Sequence, residues 1–162
     1  MSPMATIKER TIMPEQETLE RARRDKEKGK APSTQAGEFI REEMHHIREG
    51  KHGARSSKQA IAIGLSKARR AGVKLPPPRR GTVSERARRS AQRDIRAGRN
   101  GHGRTSAVRS RATLRALRRE GHGAASHRAL SRQTRGAARR RSVIARSASA
   151  RKAAATRRHN RN

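Results

Sequence analysis

The stretch Ser56 to Gly72, SSKQAIAIGLSKARRAG, reads as one complete helix whose start, buried face and stop are all written into it. Ser56 followed three residues on by Gln59 has capping-box spacing, which satisfies amides that a helix start leaves without partners. At 100° per residue, Ala60, Ile61, Gly64, Leu65, Ala68 and Ala71 form one apolar arc, while Lys58, Gln59, Ser66, Arg69 and Arg70 fall on the other side. Gly72 supplies a left-handed stop, and Lys67, Arg69 and Arg70 lie at the negative end of the dipole. The small residues on the arc let a second helix come close. Ile63 lies off the arc, and the pattern gives it no partner.

Upstream, a helix is predicted from Ser33 or Thr34 to Gly50, with Ala36, Phe39, Ile40, Met44 and Ile47 on one face and Glu38, Glu42 and Glu49 on an acidic back. Its apolar face and the Ser56–Gly72 arc are expected to pack as a hairpin across residues 50–55. Further upstream, Pro14 suits a first helical position, and Glu17/Arg21 and Glu20/Arg24 are i,i+4 pairs in the favourable order. Leu19 is nearly the only large apolar residue there, so this helix, over about residues 14–28 and stopped by Gly29, is predicted to be exposed and marginal.

Downstream, Pro76-Pro77-Pro78 holds the backbone extended and marks a boundary. Thr82 to Glu85 has capping-box spacing, and Ala87, Ala91 and Ile95 repeat at i+4 before Gly98. Further helix-prone pieces cover about 106–119 and 126–157, where apolar residues are scattered. A degenerate junction recurs as His52-Gly53-Ala54-Arg55-Ser56, Gly101-His102-Gly103-Arg104-Thr105-Ser106 and Gly121-His122-Gly123-Ala124-Ala125-Ser126. Each sets a Gly-His turn before a Ser or Thr able to cap the next helix.

Composition sets the partner class. The 162 residues carry 43 Lys and Arg against 13 Asp and Glu, a net charge of +30. Residues 1–80 hold 19 basic and 10 acidic side chains; residues 81–162 hold 24 and 3, and 23 of those 24 are Arg. Leu, Ile, Val and Phe number only 19, about 12% of the chain, below the roughly 20% under which strongly charged chains are expected to be disordered. The expected architecture is therefore all-α: a small helical hairpin at about residues 33–73, a marginal N-terminal helix, and a long Arg-rich tail that is disordered or weakly helical. The expected domains are 1–32, 33–80 and 81–162.

Lys58 to Gly72, preceded by Arg48-Glu49-Gly50-Lys51-His52-Gly53, resembles small basic bacterial proteins that share an uncharacterised domain built on a KQAIAIGLSKARRAG-type helix. These are often labelled DNA-binding or plasmid-stabilisation proteins. The resemblance covers about residues 30–80; it implies a bacterial setting and DNA binding, and it assigns no functional residues.

Physically, such a charge attracts polyanions, and arginine grips phosphate bidentately and enters narrow minor grooves. The expected function is non-enzymatic, largely sequence-independent binding of duplex DNA by phosphate neutralisation, as in histone-like, nucleoid-associated proteins. The candidate contacts are Lys58, Arg69, Arg70, Arg79, Arg80, Arg86, Arg88, Arg89, Arg93, Arg139, Arg140 and Arg141. RNA or ribosome association, and a plasmid-maintenance or stress-response interaction module, are the alternatives. The hairpin could also recruit a second copy of the chain.

Other classes find little support. The one aromatic residue, Phe39, lies on an apolar face, so stacking platforms for single strands are missing. Glu42/His46 and His45/Glu49 are i,i+4 pairs offering two ligands each, short of a metal site, and HExxH is absent. No Walker, GxSxG or dinucleotide pattern occurs, so neither catalysis nor a cofactor is expected. Without Cys there is no disulfide framework, and no apolar run approaches the ~18 residues of a membrane span. The expectation is a soluble, cytoplasmic protein.

Overall fold

The computed structural model describes residues 14–101, 107–159 and 161. The described residues form seven α-helices and no strand: α1 (Gln16–Glu27), α2 (Pro32–Arg48), α3 (Ser57–Arg70), α4 (Glu85–Arg99), α5 (Ala107–Arg118), α6 (His127–Arg139) and α7 (Val143–His159), with a 3-10 turn at Gly123–Ala125. The described residues are all-helical in class, but the expected architecture is overturned in two respects. The α2–α3 pair is the centre of a multi-helix bundle, not a small free-standing hairpin. The basic second half is not a disordered or weakly helical tail, because α4 to α7 run through its described residues.

Two compact units divide between Ser126 and His127. In the first, α2 lies between α1 and α3, α4 packs on the far side of α3, and the 3-10 turn rests on α2 and α3. Phe39 and Ala36 of α2, Ala22 of α1 and Ala68 of α3 are buried together, with Leu19, Leu65, Val73 and Leu75 packed around them. The core is built from few large residues because alanines allow close helix approach. At Gly64 a Cβ would lie 2.8 Å from the Ile40 Cα, so α2 and α3 touch nearly backbone to backbone.

The N-terminal helix is also more firmly held than its composition suggests. Leu19 and Ala22 dock on α2, Thr18 is fully buried, and the Arg21 Nε donates to Glu38 Oε2 at 2.7 Å as well as pairing with Glu17. Contact on both flanks of α2 explains a second departure: Glu42, expected on an acidic back, is buried, because that back faces other helices.

Local signals place most helix ends. Ser56 accepts from the Gln59 amide at 3.2 Å, while Gln59 Oε1 accepts from the Arg55 amide at 2.8 Å, one residue ahead of the cap. Gly29, Gly50 and Gly72 adopt positive φ just after α1, α2 and α3. The cap of α4 differs from the expected Thr82: Ser84 accepts from the Ala87 amide at 3.3 Å, and Thr82 donates to the Arg79 carbonyl instead.

Two of the three Gly-His junctions lock together; residues 102–106 of the third lie outside the described residues. The Gly53 amide donates to the Leu117 carbonyl at 2.9 Å and the Ala54 amide to the Gly121 carbonyl at 3.1 Å. Ser57 Oγ donates to the Ala124 carbonyl at 2.5 Å, and Arg48 Nε to the Ala125 carbonyl at 3.0 Å. A Cβ at Gly53 would sit 1.9 Å from the Glu120 carbonyl oxygen, so only glycine permits this backbone approach.

Urea unfolding followed by far-UV circular dichroism checks this packing. Gly53→Ala is expected to destabilise by about 1–3 kcal/mol through the forced separation of the two junctions. Gly37→Ala, in α2 where a Cβ meets nothing within 4 Å, is expected to stabilise by up to about 1 kcal/mol by removing a flexible residue from a helix interior.

Candidate functional site

The sequence-derived basic residues fall into three situations. Lys58, Arg79, Arg80, Arg86, Arg93, Arg139 and Arg140 are exposed. Arg70, Arg88, Arg89 and Arg141 have local partners: Arg70 Nε donates to Asp94 at 2.7 Å, Arg88 and Arg89 lie 3.6 and 3.7 Å from Glu85, and Arg141 reaches the Ala145 carbonyl at 3.0 Å and Ser149. Arg69 is buried and donates to the Pro76 carbonyl at 3.3 Å; burial pushes its guanidinium below the usual value in spite of Asp94 nearby. It supports the turn after α3 and is not on the surface.

Helix geometry organises the exposed arginines into stripes. On α4, Arg86, Arg89, Arg93 and Arg96 fall within about 80° of one another at 100° per residue, all exposed, while Ala91 and Asp94 on the opposite side are buried. Asp94 accepts from Ser66 and Arg70 of α3, which fixes which face α4 turns outward. On α6, Arg128, Arg132, Arg135 and Arg139 fall within about 60° and span about 16 Å of helix, and all four are exposed. Sequence reasoning had singled out Arg139 alone of this row. The i, i+4, i+7, i+11 spacing is present in the sequence, but it is a periodicity of charge and carries no apolar stripe. The second unit, residues 127–162, contains 12 basic residues and no acidic one.

The interior of the first unit holds the opposite arrangement, a buried cluster in which carboxylates outnumber ammonium groups. Lys67 Nζ, on α3, lies 3.1 Å from Glu42 Oε1 and 2.9 Å from Glu43 Oε2, and all three residues are buried. Glu43 Oε1 lies 3.2 Å from His52 Nε2. His52 Nδ1 is 3.0 Å from the Gly53 carbonyl, to which it donates. His46 Nε2 is 2.8 Å from Glu15 Oε1, and the Glu15 amide donates to Glu42 Oε2 at 3.1 Å. Burial alone would raise the Glu43 carboxyl, but His52 and the Lys67 ammonium outweigh it and hold Glu43 below the usual carboxylate range. For His52, burial pushes down, yet Glu43 and the Gly53 carbonyl leave it raised. Both Glu43 oxygens and His46 Nδ1 are buried with no hydrogen bond of good geometry.

One ligand-type atom from each of Glu43, His46 and His52 lies within 4.8 Å of the other two. Beside them is a cavity of about 180 Å³ lined by Glu43, His52 and Lys67 and closed by Ile63, Leu114 and Leu117. Ile63, unpartnered in the sequence pattern, thus faces a cavity that Leu114 and Leu117 of α5 also line. The sequence offered Glu42/His46 as an i,i+4 pair; it is Glu43 and His46, at i,i+3, that converge, with His52 returning across the loop.

Residues 30–80 match a protein family of unknown function (DUF6496). The DUF6496 segment spans α2, the loop with His52, α3 and the proline run, so it contains Glu42, Glu43, His46, His52 and Lys67 but none of α4 to α7. No match to the chain was found among curated proteins or among solved structures. No described helix is long and apolar enough to cross a membrane.

Removing one member of the Lys67 cluster should be far costlier than cutting a surface pair. Lys67→Met leaves two buried carboxylates without their shared cation and is expected to destabilise by about 3–5 kcal/mol. Arg23→Gln, which breaks the exposed pair with Glu27, is expected to cost under about 1 kcal/mol in the same unfolding assay.

Proposed function

We propose that the protein is a non-enzymatic DNA-binding protein of the nucleoid-associated type, holding duplex DNA through its phosphates with little preference for sequence. The observation that carries this reading is the α6 row: four exposed arginines on one narrow face, in a 36-residue unit with no carboxylate of its own. Charge of that density is expensive to hold together in water without a counter-charge, and a phosphate backbone supplies one at every ~1.7 Å of duplex axis. The α4 row supports the reading from the first unit, since Asp94 anchors the helix and turns Arg86, Arg89, Arg93 and Arg96 outward.

Exposed Lys58, Arg79 and Arg80 of the first unit and Arg140 of the second are further proposed contacts, and Arg69 drops out of the set. Phosphate contact supplies affinity but no sequence discrimination. The binding energy is assigned to counterion release at these phosphate contacts.

Fluorescence anisotropy with duplexes of several sequences and with a folded RNA, over a range of salt, tests the proposal. Affinity is expected to fall steeply and alike for all duplexes as salt rises. Replacing Arg128, Arg132, Arg135 and Arg139 with Gln should lower the slope of log K against log salt by about 3–4, while Arg23→Gln leaves it unchanged. Tighter binding to the folded RNA than to every duplex at equal salt would reassign the partner to RNA, and an unaltered slope in the four-Gln variant would remove α6 from the interface.

A further inference from the structure

The buried cluster of the DUF6496 segment contains an arrangement that phosphate binding does not use. His46 and His52 each have one ring nitrogen committed to an orienting acceptor: His46 Nε2 to the Glu15 carboxylate at 2.8 Å, His52 Nδ1 to the Gly53 carbonyl at 3.0 Å. In the neutral rings this leaves the lone pair on His46 Nδ1 and on His52 Nε2. Neither is satisfied by a donor: His46 Nδ1 is buried without a hydrogen bond, and His52 Nε2 faces Glu43 Oε1, itself an acceptor, at 3.2 Å. Two acceptors that close, out of water, need a proton or a cation to share.

We propose that Glu43, His46 and His52 form a site for a divalent transition-metal cation, with zinc the ion that fits best. Two imidazoles and one carboxylate are a borderline donor set suited to Zn²⁺, and an unfavourable one for Mg²⁺ and Ca²⁺, which take oxygen. Tetrahedral zinc with ligands at about 2.0–2.1 Å holds them roughly 3.3 Å apart, close to the 3.2 Å separating His52 Nε2 from Glu43 Oε1. One ligand-type atom of each of the three residues already lies within 4.8 Å of the other two. Ligating histidines characteristically donate their second N–H to a carboxylate or a carbonyl, and both do so here.

Charge balance favours the same ion. With His52 neutral, Glu42 and Glu43 carry two negative charges against the single ammonium of Lys67, and a divalent cation, standing in for the proton that His52 otherwise shares with Glu43, reverses the deficit without displacing Lys67, which contacts the other Glu43 oxygen. The cavity beside Glu43 and His52 leaves room for a water as fourth ligand. The bound ion would tie α2 to the loop that precedes α3, acting as a structural clamp.

Titration of the untagged, metal-stripped full-length chain with Zn²⁺ alone, by calorimetry, is the test. One ion per chain is expected to bind at micromolar affinity or tighter, with a rise in the thermal midpoint and with Mg²⁺ failing to compete. Glu43→Gln and His52→Gln should each weaken binding at least about tenfold, and His45→Ala, an exposed ring paired with Glu49, should change nothing. Should a variant lose its helical circular dichroism, histidine-ring ¹⁵N spectra of the unaltered protein decide: zinc must shift the His46 and His52 signals and spare His45. Absence of stoichiometric binding, retention of affinity in folded Glu43→Gln, or shifts confined to exposed rings would overturn the proposal.

Discussion

A single buried ammonium holds the first unit in its arrangement. Lys67 reaches from α3 into α2 and sits between Glu42 and Glu43, in a place where neither carboxylate nor ammonium could stand alone. Ordinary hydrophobic packing is thin in this chain, with alanines doing much of the filling, and non-directional burial of small side chains defines position poorly. The ion cluster supplies the direction. It fixes the rotation of α2 against α3, and through Glu15 it brings the segment before α1 into the same network.

The protein thus keeps two electrostatic regimes. Inside the first unit, carboxylates of α2 gather around a lysine and two histidines in a low-dielectric setting, where partner geometry decides everything. On the helical surfaces, arginines stand in rows with water as their medium, and their interaction is long-ranged and open to screening. The match to DUF6496 covers the first regime and stops before most of the second.

Much of the framework was legible in the sequence. The Ser56 cap, the glycine stops and the apolar arc on Ser56–Gly72 lie where local rules put them, because each acts within a turn or two of helix. What escaped was non-local. Periodicity puts Glu42 on an acidic back because it has no way to know that Lys67 of α3 and the Glu15 amide ahead of α1 close on that carboxylate. Low apolar content argued for a disordered tail, yet α4 needs only Ala91, Asp94 and the glycine-permitted approach of Gly98 to the Arg69 carbonyl to dock. The convergence of Glu43, His46 and His52 was beyond reach for the same reason: two ligands share a helix, but the third returns through a loop whose path is set by residues nearly seventy positions away.

That path has a temporal side. The 52–57 segment finds its hydrogen-bonding partners at Leu117, Gly121 and Ala124, so the matching part of the polypeptide is made long after the helices it completes. Closing a loop of that length carries an entropic cost and slows the search. The expected order of assembly is therefore α2 and α3 adjacent but unsealed first, with the Glu43–His52 corner completed when the Gly121 turn arrives.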